Sequence, residues 1–146
     1  MKPEDVPAGP LLVDTDVISY WVTKHNDGNA FKALTNGHNM AVSFATWGEL
    51  LANYHRLNWG TKRIAQLRNQ LKAFVVVPYS IQVVELWAQM HSKLSGHLHK
   101  GGTNDLWTAA CALSVNPKLP IVTNNLKDFQ AIAGHFTDLK IVHPDL

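Results

Sequence analysis

Cysteine, charge and long apolar runs are all scarce in this chain. A single cysteine, Cys111, stands among 146 residues, so neither a disulfide framework nor a cysteine-based zinc site can be built, and a reducing compartment fits. No apolar run approaches the roughly 18 residues a membrane span needs, and the opening Met-Lys-Pro-Glu-Asp-Val-Pro-Ala-Gly-Pro has no signal-peptide core. A cytoplasmic protein with no membrane association is expected. Internal repeats and low-complexity stretches are missing too. Charged residues reach only 16%, against about 25% in typical domains, which suggests that a partner covers some of the surface. Hydrophobic residues, at 46%, are present in globular proportion. The length suits one domain over residues 1–146, with the proline-rich residues 1–10 read as a flexible lead-in.

The formal net charge of +2 hides a contrast. Asp14, Asp16, Glu49, Asp105 and Asp128 all fall in short motifs at the junctions of expected strands and helices. Without these five, six acids face the 13 lysines and arginines, so the rest of the chain carries +7. An acidic focus in a basic body suits a metal site that receives a polyanion. Ordinary scatter of solvated charges would produce the same composition.

Short apolar runs alternate with helical patterns. Leu11–Val13, Met40–Phe44, Phe74–Val77, Ile121–Val122 and Lys140–Val142 read as strands. Helices are expected over Asp16–Val22, Phe31–Leu34, Ala45–Leu57, Thr61–Leu71, a long stretch capped by Ser80, Thr103 or Asn104 to Leu113, and Asp128 to about Ala133. Gly101-Gly102 separates the long helix from the next. Because the strands are continuous apolar runs rather than alternations, both faces of the sheet should be covered. The expected fold is α/β, a three-layer α/β/α sandwich with a mainly parallel central sheet.

The acids occupy equivalent places in this pattern. Asp14 directly follows the first strand, Glu49 lies about one turn into the helix after the second, Asp105 sits in a first helical turn, and Asp128 follows the fourth strand. Open α/β sheets bind ligands outside the carboxyl ends of their strands. Carboxylates gathered there would repel one another without a cation, and hard oxygen ligands favour Mg²⁺ or Mn²⁺. Each aspartate alone, Asp16 included, has a simpler explanation as a helix cap. The coincidence of four acids at strand carboxyl ends favours the metal site.

The stretches Leu12-Val13-Asp14-Thr15-Asp16-Val17-Ile18, Thr46-Trp47-Gly48-Glu49-Leu50, Thr103-Asn104-Asp105-Leu106-Trp107-Thr108-Ala109-Ala110 and Val122-Thr123-Asn124-Asn125-Leu126-Lys127-Asp128-Phe129 resemble, in order, the four motifs of PIN-domain ribonucleases. They are most similar to the VapC toxins of prokaryotic toxin–antitoxin pairs. The resemblance implies a PIN-like fold in which Asp14, Glu49, Asp105 and Asp128 are catalytic and metal-binding, supported by Thr15, Asp16, Asn104, Thr123 and Asn125. Asp16 departs from the small polar residue many members carry there. The resemblance further implies a Mg²⁺- or Mn²⁺-dependent endoribonuclease leaving 5′-phosphate and 3′-hydroxyl ends, a small VapB-like antitoxin, an RNA substrate and a homodimer. Two alternatives stay open. Asp14-Thr15-Asp16 also resembles the nucleophile motif of haloacid-dehalogenase-like phosphotransferases, and a PIN-like module can bind RNA or protein without cutting.

Other residues carry weaker signals. His97-Leu98-His99 lacks zinc-site spacing and reads as a loop that touches RNA phosphates together with Lys100. Arg56, Arg63 and Arg68 default to solvated helix faces, with an RNA path as the alternative. Trp87 and Trp107 are expected in the core, Trp59 at an exposed interface, and Cys111 as a small core residue.

Overall fold

Three consecutive aliphatic side chains, Leu11–Val13, are fully excluded from solvent, and the architecture is arranged around that strand. The computed structural model describes residues 1–94, 96 and 103–146. The His97-Leu98-His99 stretch, Lys100 and the break at Gly101-Gly102 lie outside the described residues. Strands β1 (Leu11–Val13), β2 (Met40–Ser43), β3 (Val75–Val77), β4 (Ile121–Val122) and β5 (Ile141–Val142) form one sheet in the order β3-β2-β1-β4-β5. All four pairings are parallel. Among the described residues the helices are α1 (Thr15–Val22), α2 (Gly28–Thr35), α3 (Phe44–Arg56), α4 (Thr61–Leu71), α5 (Ile81–Leu94), α6 (Thr103–Ser114) and α7 (Leu126–His135).

Side-chain alternation divides the core between the two sheet faces. Leu12, Ala41 and Ile121, in register on three neighbouring strands, pack with residues of α5, α6 and α7. Leu11, Val13, Val42, Val122 and Val142 pack with α1, α2, α3 and α4. The expected three-layer α/β/α sandwich is therefore the observed one, with a wholly parallel sheet. Chain direction across the sheet reverses at β1, which has β2 on one side and β4 on the other. Such a reversal point, outside the carboxyl ends of β1 and β4, is where open α/β sheets bind ligands.

Several local expectations shift, each for a physical reason. Within residues 1–10, Pro3–Asp5 form a 3-10 turn and Val6 is buried in the core. Phe44 begins α3 instead of ending β2, because Ser43 caps the helix by accepting a hydrogen bond from Thr46 N at 3.0 Å. Gly60 is the N-cap of α4. Ser80 does cap α5, accepting from Val83 N at 3.2 Å. The last helix starts at Leu126, two residues before Asp128. Trp59 is half-buried, stacked on Tyr54 with ring centroids 3.8 Å apart, so it is not the exposed interface residue expected. Trp87 and Trp107 stack at 4.7 Å and pack against the core, and Cys111 is fully buried.

Candidate active site

Asp14 leaves β1 at the reversal point. Its backbone N–H still bonds to Val122 O on β4 at 2.9 Å, and the next residue begins α1. The carboxylate is thereby fixed at the carboxyl end of the sheet, 5% exposed. Oδ1 accepts from Thr15 N at 2.9 Å, and Oδ2 accepts from the Thr123 hydroxyl at 2.9 Å. Asp14, not Asp16, is thus the N-cap of α1. Asp16 faces solvent in the first turn.

The remaining acids come from three other helices. Glu49 sits in the second turn of α3, half-buried, and accepts from Asn104 Nδ2 at 3.0 Å. Asp105, in the first turn of α6, and Asp128, in the first turn of α7, share one donor. Asn125 Nδ2 lies 2.8 Å from Asp105 Oδ2 and 3.0 Å from Asp128 Oδ2. The backbone N–H of Asn125 donates to the Thr123 hydroxyl oxygen at 3.0 Å. Thr123 therefore touches Asp14 on one side and anchors Asn125 on the other. A single threonine–asparagine relay ties three acids together.

Behind the acids lies a layer of buried hydroxyls, of which Ser43, Thr46 and Thr108 were not assigned by sequence reading. Thr15 Oγ1 bonds Thr46 Oγ1 at 3.2 Å, and Ser43 Oγ pairs with Thr108 Oγ1 at 3.3 Å. Ser43, Thr46, Thr108 and Thr123 are all buried, and each has a partner, as burial requires. The usable signal was position: Ser43 directly follows an apolar run, where an N-cap residue is favoured.

Crowding shows in the electrostatics. Burial, reinforced by the Asp16 charge, pushes the Asp14 carboxyl from its ordinary 3.8 up to about 7, against the lowering effect of the Thr15 and Thr123 hydrogen bonds. Burial, then the charges of Asp14, Asp128 and Asp16, lifts Asp105 to about 8, while the Asn125 amide opposes the rise. Glu49 is raised chiefly by burial. Asp16 is raised for the same reason: although it faces solvent, nearby protein removes part of its hydration. Carboxyls displaced upward together, at the carboxyl end of the sheet, mark a site where negative charge is held at a disadvantage.

All nine residues expected at the site thus lie along this edge: Thr123 directly after β4, and the other eight on the termini or early turns of α1, α3, α6 and α7. The donor set is entirely oxygen, with amides and hydroxyls supporting the carboxylates, which suits Mg²⁺ or Mn²⁺ and not a softer metal. Among the described residues no three carboxylate, histidine or cysteine side chains converge tightly enough to enclose an ion alone. Mg²⁺ does not require that, since it binds through one or two carboxylates and keeps several waters. The residues fit such an ion.

Comparison with known proteins agrees with this arrangement. No curated protein matches the chain in sequence. Solved structures do match in fold. VapBC2 from Rickettsia felis, bound to a DNA fragment from its promoter, superposes with a TM-score of 0.71 at 23% identity, covering 91% of this chain and 97% of that one. VapBC-1 from nontypeable Haemophilus influenzae gives 0.70 at 23%, covering 94% and 99%. VapBC-5 of Mycobacterium tuberculosis, from the VapBC family of toxin–antitoxin systems, gives 0.65 at 25%, covering 93% and 99%. In sequence, residues 11–134 match the PIN domain, a span that runs from the first residue of β1 nearly to the end of α7 and takes in all four acids. That match sets aside the haloacid-dehalogenase-like alternative: the chain belongs to the PIN-domain family of nucleases.

Proposed function

We propose that this protein is a Mg²⁺- or Mn²⁺-dependent endoribonuclease and the toxin of a toxin–antitoxin pair, acting in the cytoplasm as a homodimer. The observation that carries the reading is the gathering of Asp14, Glu49, Asp105 and Asp128 at the reversal point, where burial and mutual crowding lift Asp14 and Asp105 well above ordinary carboxylates. In this reading Asp14 and Asp105 hold the cation most closely, and Glu49 and Asp128 complete its surroundings. Thr15 and Thr123 fix the two Asp14 oxygens through the backbone N–H of one and the hydroxyl of the other. Asn125 aims Asp105 and Asp128, and Asn104 aims Glu49. Asp16 adds negative charge at the solvent side. Bound Mg²⁺ or Mn²⁺ would supply an activated water and charge neutralisation for in-line attack on an RNA phosphodiester.

The toxin assignment is supported by the kind of structure the chain resembles, VapBC complexes of toxin with antitoxin. A small VapB-like protein is the proposed partner. Four carboxylates at the reversal point offer it a direct route to inhibition, because an arginine fork pairs bidentately with carboxylates and occupies the cation's place. Expression of the protein alone should arrest growth, and co-expression of the small gene beside it should relieve the arrest. Harmless expression of the intact protein would contradict the toxin reading.

A further inference from the structure

No aspartate or glutamate occurs between Glu49 and Glu85. Residues 50–84 hold Arg56, Lys62, Arg63, Arg68 and Lys72, five of the 13 cations, and none of the 11 acids. The rest of the chain, with eight cations against 11 acids, is net negative. Folding puts all five on or at the ends of two successive helices. Arg56 ends α3, Lys62, Arg63 and Arg68 lie along α4, and Lys72 is the C-cap of α4. All five are exposed, and α4 buries only Leu67 and Leu71, leaving most of its circumference to solvent.

Several of these groups are ordered in advance. Arg56 Nη2 donates to Asn53 Oδ1 at 2.8 Å. The Arg63 guanidinium lies 3.6 Å above the Trp59 ring, which is itself stacked on Tyr54. Between the helices, Arg68 lines a cavity of about 260 Å³ with His55, Thr61, Ile64 and Ala65. One helix joins this face to the acids. Glu49 and Arg56 are seven residues apart on α3, so they share a helix face about 10 Å apart along the axis, with Ala52 and Asn53 between them.

We propose that the α3–α4 face is a second contact surface for single-stranded RNA, holding backbone phosphates of the strand whose scissile phosphate sits at the acids. The inference rests on the ribonuclease reading. Separated cations on two successive helices suit a chain of phosphates, and the shared face of α3 connects Arg56 to the acids. Arginine's planar fork favours phosphate in the same way that it favours carboxylate. An acidic protein segment would suit the charge but has no need of the connection to Glu49.

The test reads binding without cleavage. A fluorescent oligouridylate of roughly 12 nucleotides, within the usual span of single-strand sites, is titrated in EDTA at several salt concentrations. Arg56→Gln with Arg68→Gln should raise Kd about tenfold at ~0.1 M salt and make the salt dependence shallower by about 1.4, at ~0.7 per lost contact. Both side chains are exposed, so the fold is kept, and a thermal melt checks it. Lys2→Gln with Lys32→Gln removes the same charge elsewhere and should leave the slope unchanged. Wild-type affinity and slope in the Arg56/Arg68 pair, or an equal loss in the Lys2/Lys32 pair, would overturn the proposal. Tighter binding of polyglutamate than of RNA would also overturn it and assign the face to an acidic protein. Loss of binding in the Arg56/Arg68 variant of a protein that cuts nothing with Mg²⁺ or Mn²⁺ would keep this surface while removing the ribonuclease reading. Normal cutting with unaltered binding would do the reverse.

Discussion

Strands β1 and β3 are alike in sequence and opposite in circumstance. Each is three aliphatic residues, Leu11–Val13 and Val75–Val77. All three side chains of β1 are fully buried, whereas Val75 is 68% exposed and Val76 38%. The difference is position. β1 is central, flanked by β2 and β4 and covered by helices on both faces, and β3 is an edge. The residues just beyond the two strands differ in the same sense. β1 delivers Asp14 into the reversal point, and β3 delivers Pro78, near the exposed Tyr79 and Ile81. Of the four acids only Asp14 directly follows a strand, and the central position of that strand is what fixes it at the reversal point.

Truncation sharpens the contrast most. Leu12→Ala should destabilise the fold by about 2–5 kcal/mol through lost burial and a cavity. Val75→Ala should change stability by no more than about 0.5 kcal/mol. Chemical denaturation of the two variants side by side measures both. Equal effects would mean that β3 is covered as thoroughly as β1.

Acidity provides the next test. In the metal-free protein Asp14 and Asp105 titrate near 7 and 8, while in the unfolded chain both lose their protons near 3.8. Between those values the folded state holds more protons than the unfolded one, so stability falls as pH rises from about 4 to about 8 and then levels off. Below about 4 both states are protonated and the penalty vanishes. Asp14→Asn should flatten part of this slope and raise the melting temperature of the metal-free protein at pH 8. A wild type whose metal-free stability rises over that range would contradict the crowding at the site.

Smaller again is the effect of the relay. Asn125→Ala removes the amide shared by Asp105 and Asp128, so the Asp105 carboxyl should titrate still higher, readable by carboxyl NMR. Mn²⁺ affinity should fall about 10–100-fold by calorimetry, as when outer-shell partners are lost. Unchanged affinity would reduce Asn125 to a structural role. Cys111 should show the least: burial pushes its thiol up to about 12, so it should resist thiol reagents until the chain unfolds.

Much of this fold is legible in the sequence, and the illegible part has a pattern. Apolar runs ending in Asp14 and Thr123 announce strands with polar residues at their carboxyl ends, because a parallel sheet must be apolar throughout and can be polar only where it stops. The exposure of β3 is not legible, since a run of valines reads alike at the centre and at the edge. Local pattern also cannot separate Asp14 from Asp16 as the cap, or place the start of α7 at Leu126, because cap and first-turn positions accept the same acids. The polar neighbours of Trp59 mislead: Arg63 and Tyr54, four residues after it and five before, close over its ring only once α3 and α4 fold together. The relay from Thr123 through Asn125 to two acids from different helices has no signature beyond the residues themselves.

The central claim is that the reversal point at β1 and β4 is a cation-dependent RNA-cutting site. Its most direct test is to incubate the purified protein and its Asp14→Asn variant with a pool of cellular RNA, with Mg²⁺ or Mn²⁺ and again with excess EDTA, and to map the cut ends. Cleavage to 5′-phosphate ends by the wild type with metal, and none with EDTA or from Asp14→Asn, is the result predicted. Cleavage that survives both chelation and the loss of Asp14 would contradict it.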